Sequence, residues 1–321
     1  GGFGVTVFFF LSGFLITSLL IDEQNRTDEI SLRFFYIRRL IRLFPPLIIS
    51  LVFIYLLTYV EISHGEISLL GALSQIFYFA NYYSIFFQSN GGIPYGTGLL
   101  WSLAVEEHFY FIYPVLIVIG FRFFSLSKIG HAIAIVCLLT LVWRVILVIE
   151  FDASTYRTYY ATDTRIDSIL YGCLLAIFGS PLNKNVTDFR TMNLVDLSIF
   201  FIAIFVLIFS FLYRDPFFRE TIRYSIQGLA LMPIFYYAII KNRHILFRWL
   251  NYHPIEHFGY ISYSFYLLHF AVISTLKENM GEKGNLFILI FISFVITASI
   301  AIAIYITIEN PIKKARAVFK R

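Results

Sequence analysis

The stretch NLFILIFISFVITASIAIAIYITI, residues 285–308, decides the fold class because it contains no charged side chain. A helix needs about 20 mostly apolar residues to cross the hydrocarbon layer of a bilayer, so this stretch predicts a transmembrane helix. The whole chain has the same character: 59% of its 321 residues are hydrophobic and only 14% are charged. Soluble domains are about a quarter charged. The composition therefore argues against a soluble enzyme, a disordered chain or a disulfide scaffold, and predicts an all-α, polytopic transmembrane bundle.

Eight further apolar stretches bring the predicted number of spans to nine, and no soluble domain is visible between them. The nine spans are roughly 3–21, 43–61, 100–121, 129–150, 165–180, 194–213, 223–240, 257–276 and 285–308. The apolar stretch 67–87 is interrupted by Asn81, and we assign it to a partly buried or interfacial loop, with a tenth span as the alternative.

Lysine and arginine are concentrated in alternate loops. Residues 22–42 contain five arginines and residues 313–321 are also basic, whereas residues 62–99 contain neither Lys nor Arg. Because cytoplasmic loops carry an excess of basic residues, this pattern predicts that the 22–42 loop and the C-terminus are cytoplasmic. The chain enters its first apolar stretch directly from Gly1, without a Met, so we expect an upstream span to be missing.

An arginine cluster precedes the second span. Arg38, Arg39 and Arg42 share one face if the segment is helical, because residues three and four apart are neighbours on a helix. Guanidinium groups bind phosphate in a bidentate fork, so a phosphorylated cytosolic donor such as a coenzyme A thioester is a plausible ligand. The alternative is a topology signal or an anchor for anionic lipids.

Two adjacent carboxylates, Glu106 and Glu107, lie inside the third span. A charge within the membrane costs about 2.5–3.5 kcal/mol on insertion scales and therefore indicates function. One face of this span collects the polar residues that we call the polar seam: Ser102, Glu106, Tyr110 and Tyr113. A carboxylate there is suited to orienting a base or binding a hydroxyl substrate. The alternative is a structural ion pair with Arg144 or Arg165, or an interfacial position.

Further ionisable residues occur at the start of the fifth span and within the eighth. Asp163, Arg165 and Asp167 favour ion pairs to other helices over a metal site, since Arg165 and Asp167 do not face each other on a helix. His269 shares a face with Tyr266, and it is either a catalytic group or a hydrogen-bonded packing residue. No bound metal is predicted.

In their order along the chain, five sequence blocks resemble the acyltransferase 3 family of integral membrane O-acyltransferases. The blocks are Gly4–Ile16, Phe35–Pro45, Trp101–Tyr110, Thr164–Asp167 with Gly172, and Ile261–His269 followed by Glu309 and Pro311. Each block alone is weak, but five in order are specific, and WSLAVEE at 101–107 is the most diagnostic.

The resemblance implies a single acyltransferase domain over 1–321 in a bacterial inner membrane. Such an enzyme moves an acyl group, most simply acetyl, from cytosolic acyl-CoA to a hydroxyl of an envelope or exported glycan, without a bound cofactor. The family has ten spans, and its first span, which carries an Arg and the His regarded as the catalytic base, is absent here. The family usually has Gln where this chain has His108.

Roles implied by the resemblance and by the residue types fall into three groups. The catalytic candidates are Glu106, Glu107 and His269; the acyl-CoA candidates are Arg38, Arg39 and Arg42; and the acceptor candidates are Trp101, Ser102, Tyr110, Arg165 and Asp167. Two other functions stay open: a transporter or flippase that uses the charged cluster as a path, and a non-catalytic fragment of the acyltransferase.

Overall fold

The computed structural model describes residues 2–87, 92–179, 191–280 and 285–315, and within them the secondary structure is helical. Gly1 and the basic residues beyond 315, which entered the topology prediction, lie outside this part of the chain. The helices are α1 (Gly2–Thr27), α2 (Leu32–Tyr59), α3 (Leu69–Ile76), α4 (Ala80–Phe87), α5 (Trp101–Phe123), α6 (Leu126–Glu150), α7 (Thr155–Tyr160), α8 (Thr162–Leu174), α9 (Leu194–Leu212), α10 (Pro216–Glu220), α11 (Ile222–Ile240), α12 (His253–Met280), α13 (Leu286–Ile304) and α14 (Asn310–Ala315).

Six helical segments of the described chain are long and apolar enough to cross a membrane, which confirms a polytopic helical membrane protein. They are Gly2–Thr27, Leu32–Tyr59, Thr97–Phe123, Leu126–Glu150, Leu194–Leu212 and Leu286–Lys313. The other three predicted spans coincide with α8, α11 and α12, which are helical but not among the six. Helix α8 has only 13 residues before a π-helical turn, and α11 and α12 carry polar side chains that lower their hydropathy.

The apolar stretch 67–87 forms two short helices rather than a tenth span. Helices α3 and α4 have eight residues each, too few to cross the hydrocarbon layer. Ser68 caps α3 by accepting a hydrogen bond from the backbone N–H of Gly71. The tenth-span alternative is therefore wrong, and the segment that we assigned to a partly buried or interfacial loop contains two short helices.

The chain divides into two units with boundaries after residues 30, 104 and 252, and the second boundary falls within α5. The first unit comprises residues 1–30 and 105–252, with α8 packed against α1, α6 and α11. Two glycines allow α1 and α8 to approach closely: a Cβ at Gly13 would lie 2.0 Å from the carbonyl oxygen of Ile169, and one at Gly172 would lie 1.9 Å from that of Phe10. Small residues allow this backbone contact in membrane helices, where lipid removes the hydrophobic driving force.

The second unit comprises residues 31–104 and 253–321. Helix α12 packs against α2 and α13. Leu47 and Leu51 of α2 share a buried cluster with Leu267, and Ile54 shares another with Leu268. By contrast, Phe287 and Phe291 of α13 are 83% and 68% exposed, as expected of side chains that face lipid.

Candidate functional site

A fully buried ion pair joins α6 to α8 in the first unit. Nη1 of Arg144 donates to Oδ1 of Asp167 at 2.8 Å, and Nη2 donates to Oδ2 at 2.7 Å, so the contact is bidentate. Both side chains are completely shielded from solvent. The predicted ion pair between helices is therefore confirmed for Asp167.

The remaining N–H groups of Arg144 are also paired. Nε donates to the carbonyl oxygen of Thr221, Nη1 to that of Thr164, and Nη2 to the hydroxyl of Ser225. The Ser225 hydroxyl in turn donates to Oδ2 of Asp167 at 2.8 Å. All five N–H donors of this guanidinium thus have an acceptor, which is what a buried charge requires.

Arg165 has very different surroundings, although it is equally buried. Its Nη2 donates to the Thr6 hydroxyl at 3.1 Å, while Nε and Nη1 have no hydrogen-bond acceptor in the described residues. The guanidinium carbon lies 3.8 Å from the ring centre of Tyr224 and 5.3 Å from that of Tyr159. Aromatic faces stabilise the cation in part, but two buried N–H nitrogens are left for a ligand oxygen.

A second arginine–carboxylate pair lies where α7 meets α8. Arg157 donates to both oxygens of Asp163, at 2.9 and 2.5 Å, and the indole N–H of Trp143 donates to Oδ2 at 2.7 Å. Burial by itself raises the pKa of the Asp163 carboxyl, but these hydrogen bonds and the Arg157 charge outweigh it and lower that pKa.

Two residues of the polar seam on α5, Glu106 and Tyr113, form hydrogen bonds with α1. Oε1 of Glu106 accepts hydrogen bonds from the hydroxyls of Ser12 on α1 and Tyr110 on α5. One turn further on, the hydroxyls of Tyr113 and Thr17 lie 2.8 Å apart. Glu106 is only 2% exposed, so two polar contacts with α1 orient this part of the seam inside the first unit.

His108, two residues after Glu106, contacts α8. Nδ1 of His108 lies 2.8 Å from the hydroxyl of Thr162, the first residue of α8. Glu107 and His108 are both half-buried. His108 therefore connects α5 to the start of the helix that carries Arg165.

The other α5 candidates and His269 belong to the second unit. Trp101 is buried, and the hydroxyls of Ser102 and Tyr266 lie 2.5 Å apart. Nδ1 of His269 faces the carbonyl oxygen of Tyr266 at 2.8 Å and therefore donates to it, so Nε2 is the basic nitrogen of the neutral ring. The three proposed catalytic residues are thus divided between the units, with Glu106 and Glu107 in one and His269 in the other.

The arginine cluster lies on the first turns of α2, so the predicted helical face is confirmed. Arg38 and Arg39 are half-buried, and the guanidinium of Arg39 lies 5.7 Å from the ring centre of Phe35. Arg42 is exposed and lines a cavity of about 270 Å³ within the second unit.

Sequence reasoning found the charged residues of the first unit but missed several of their partners. Thr6, Tyr224 and Ser225 carry no charge and belong to no recognisable motif, so nothing in the sequence singled them out. Their only signal is position: Tyr224 and Ser225 are polar residues near the start of an apolar helix.

The fold and these charged centres define a polytopic helical membrane protein with ionised groups buried among its helices. The model of the acyltransferase domain of the acyltransferase 3 family matches residues 1–306, and the chain belongs to this family. No solved structure shows a significant match.

Three curated relatives are similar over most of this chain. O-acetyltransferase OatA of Staphylococcus aureus strain NCTC 8325 is 32% identical over 98% of the chain and 53% of its own length. Putative peptidoglycan O-acetyltransferase YrhL of Bacillus subtilis strain 168 is 31% identical over 98% of the chain and 51% of its own length. Peptidoglycan O-acetyltransferase OatA of Listeria monocytogenes EGD-e is 32% identical over 85% of the chain and 45% of its own length. The chain therefore spans about half the length of these curated relatives.

Proposed function

We propose that this chain is the membrane part of an O-acetyltransferase that moves an acetyl group from cytosolic acetyl-CoA to a hydroxyl of an envelope glycan, with peptidoglycan as the first acceptor to test. The observation that carries the proposal is the 32% identity to an O-acetyltransferase over 98% of the chain. Six apolar helices and the family match over 1–306 support the same assignment.

The proposed topology has nine spans and a cytoplasmic C-terminus in the bacterial inner membrane. Helices α8, α11 and α12 supply the three spans whose polar side chains lower their hydropathy. Membrane helices bury polar residues only where these face the bundle interior, and the full burial of Arg144 and Asp167 fits that arrangement. Arg38, Arg39 and Arg42 then lie on the cytosolic side, where they are assigned to the phosphates of the donor.

The proposed reaction is a direct or two-step acyl transfer. In the direct route, the acceptor oxygen bonds to the acetyl carbonyl carbon, the carbon–sulfur bond breaks, and coenzyme A leaves as a thiolate that takes up the acceptor's proton. In the two-step route, an enzyme nucleophile takes the acetyl group and releases coenzyme A, and the acceptor oxygen then displaces that nucleophile, which takes up the acceptor's proton. Glu106, Glu107 and His269 are the proposed acid–base groups. The Nδ1–H of His269 is occupied by a backbone carbonyl, which leaves Nε2 as the nitrogen able to accept a proton.

The acceptor side is assigned to Trp101, Ser102, Tyr110, Arg165 and Asp167, and the structure distinguishes two of these roles. Asp167 is occupied by Arg144 and Ser225, so its proposed role is to position α6 and α11 around the site. Arg165 has two N–H nitrogens without an acceptor in the described residues, so its proposed role is direct contact with a carbonyl or hydroxyl oxygen of the substrate.

Acetate release from purified envelope glycans tests the proposal in cells. Deletion of the gene should remove base-labile acetate from one glycan fraction, and the full-length gene should restore it. Unchanged acetylation in every glycan fraction would overturn the proposed function.

A reconstituted assay tests the donor side. Full-length protein in lipid nanodiscs should transfer labelled acetyl from acetyl-CoA to soluble peptidoglycan fragments. The Arg39→Ala/Arg42→Ala double variant should raise the KM for acetyl-CoA while membrane insertion is unchanged. Arg33→Ala is the matched control, since Arg33 is exposed on the first turn of the same helix. If the KM for acetyl-CoA is the same in the double variant and in the control, the assignment of the arginine cluster to the donor site is wrong.

A further inference from the structure

A cavity of about 270 Å³ lies within the second unit, between α2, α12 and the C-terminal end of α13. Its lining includes Arg42, Pro46, Tyr260, Tyr305, Glu309 and Lys313. Tyr305 and Glu309 begin and end a π-helical turn that separates α13 from α14. Single π-helical turns often occur at functional sites.

Two cations face this cavity from different helices. Arg42 comes from α2 and Lys313 from α14, and both are exposed. Nζ of Lys313 lies 4.6 Å from the ring centre of Tyr260, a cation–π contact that orients the ammonium group. An arginine fork beside an oriented ammonium is a combination that binds phosphate.

The cavity also offers flat aromatic surface. The rings of Tyr260 and Tyr305 are stacked, with centroids 5.9 Å apart and planes inclined by 14°. Aromatic side chains bind nucleobases by stacking, which contributes about 1–3 kcal/mol per base. The ring pair lies beside Lys313, so a base and its phosphates can be bound together.

Hydrogen-bond acceptors complete the lining. The Glu309 carboxylate, which accepts a hydrogen bond from Ser264, suits an amino or hydroxyl group of a ligand. Pro45 and Pro46 have no N–H, so the carbonyl groups of the residues four positions earlier, 41 and 42, lose their usual helical donors. A ligand that carries only anionic groups has no hydrogen-bond donor for these acceptors, whereas a ligand with hydroxyl or amino groups does.

We propose that this cavity binds the adenine nucleotide end of acyl-CoA, with Arg42 and Lys313 on phosphate, the tyrosine pair against the base, and Glu309 on a ribose hydroxyl or the base amino group. The proposal deepens the proposed function and rests on it. The cavity of about 270 Å³ lies just below the range usual for small-molecule pockets, about 300–1,000 Å³, so the proposal places only the nucleotide end there and the pantetheine arm outside. It adds Lys313, Tyr260, Tyr305 and Glu309 to the donor site.

Direct binding measurements separate this proposal from the proposed function. Full-length protein in nanodiscs should bind adenosine 3′,5′-bisphosphate, and Lys313→Gln should weaken its Kd about tenfold, or about 1.4 kcal/mol. The KM for acetyl-CoA should rise by a similar factor while kcat is unchanged. Transfer from S-acetyl-pantetheine, which lacks the nucleotide, should be unaffected. Lys277→Gln is the matched control, because Lys277 is an exposed lysine at the end of α12.

Two substitutions of Tyr260 test the role of its aromatic ring. Tyr260→Leu should weaken bisphosphate binding, and Tyr260→Phe should restore it, since the ring and not the hydroxyl contacts the Lys313 ammonium. Equal Kd values in Lys313→Gln and Lys277→Gln would overturn the proposal.

A lipid-headgroup site is a distinct outcome. If phospholipid co-purifies in proportion to intact Lys313 and adenosine bisphosphate does not displace it, the cavity binds a headgroup and the proposal is wrong. Acetyl transfer by wild-type protein together with unchanged bisphosphate affinity in Lys313→Gln would overturn the cavity assignment alone. Bisphosphate binding without any acetyl transfer would instead overturn the proposed function.

Discussion

On the α6 side of α8, the guanidinium of Arg144 makes five hydrogen bonds, two of them to one carboxylate. On the α1 side of the same helix, the guanidinium of Arg165 makes one hydrogen bond to a threonine hydroxyl and otherwise lies among aromatic rings. Both side chains are fully buried. Tyr224 contacts both guanidinium groups, at 5.4 Å from Arg144 and 3.8 Å from Arg165.

This difference separates a structural charge from a candidate functional one. A buried charge whose hydrogen bonds are all made within the protein contributes to the fold, and a ligand can reach it only by displacing one of them. A buried charge with N–H groups left over destabilises the fold, and it is compensated when a substrate oxygen binds there. Loss of Arg144 should therefore affect folding, whereas loss of Arg165 should affect activity.

The largest expected effect is on stability, from breaking the Arg144–Asp167 pair. Asp167→Asn leaves the Arg144 charge buried without its counter-ion, which costs about 3–5 kcal/mol when a buried pair is broken. We expect a large fall in the thermal midpoint of the purified protein, measured by fluorescence-detected size exclusion. The Arg144→Met/Asp167→Leu double variant removes both charges and should recover most of the loss. A stable but inactive Asp167→Asn protein would show instead that Asp167 acts on the substrate.

The next effect is on activity, from Arg165. Arg165→Met removes N–H groups assigned to a substrate oxygen, and loss of one such donor typically costs about 10²–10³ in rate. The thermal midpoint should be unchanged or higher, because the variant no longer buries a cation without a counter-ion. Arg214→Met, at an exposed position in the same unit, is the control. A fall in stability without a matching loss of rate would assign Arg165 to the fold, like Arg144.

A smaller effect is expected from the glycines that set the distance between α1 and α8. In Gly172→Ala the new methyl group would lie 1.9 Å from the Phe10 carbonyl oxygen, so the helices must separate. Overpacking of this kind typically costs about 1–3 kcal/mol. Because Arg165 contacts Thr6 and Phe9 on α1, transfer should also slow. Gly4→Ala on α1 is the control, since nothing lies within 4 Å of its added methyl group; equal stability of the two variants would mean that α1 can move without cost.

Sequence patterns predicted the fold class because transmembrane helices are encoded locally, by length and hydropathy. Residues 285–308 show this, and the helix there runs from Leu286 with apolar side chains towards lipid. The spans at α8 and α11 are harder to define, because the buried polar groups that hold the bundle together also lower hydropathy. The buried polar side chains that make α8 and α11 candidates for a functional site also make these helices harder to recognise as membrane spans.

The candidate site was predictable only at its charged residues. A charge within an apolar stretch is visible in the sequence, so Arg144, Arg165 and Asp167 were found. The pairing of Asp167 with Arg144 depends on how α6 and α8 are rotated and packed. The spacing of these residues in the sequence does not predict it. The uncharged partners, such as Ser225 and Thr6, acquire their roles only from tertiary contacts.

The smallest expected effect concerns the pair of Arg157 and Asp163, whose side chains are 25% and 40% exposed. Asp163 lies ahead of the predicted span 165–180, and its pKa is lowered because hydrogen bonds from Arg157 and Trp143 outweigh burial. A lowered pKa contributes stability that is present above the unfolded value, about 3.9 for Asp, and is lost as the pH falls through the folded value. Solvent screening keeps this contribution small.

The thermal midpoint should therefore differ slightly between wild type and Asp163→Asn at neutral pH. The difference should begin to shrink near pH 4 and disappear only when the pH falls below the lowered pKa of the folded protein, where the carboxyl takes up a proton. Glu150→Gln is a suitable control, since Glu150 is exposed at the end of α6 and forms no ion pair in the described part of the chain. A difference that persists unchanged in acid would mean that the hydrogen bond from Trp143, rather than the charge of Arg157, accounts for the role of Asp163. The pair would then resemble neither Arg144, whose charge is neutralised in the fold, nor Arg165, whose charge is available to a ligand.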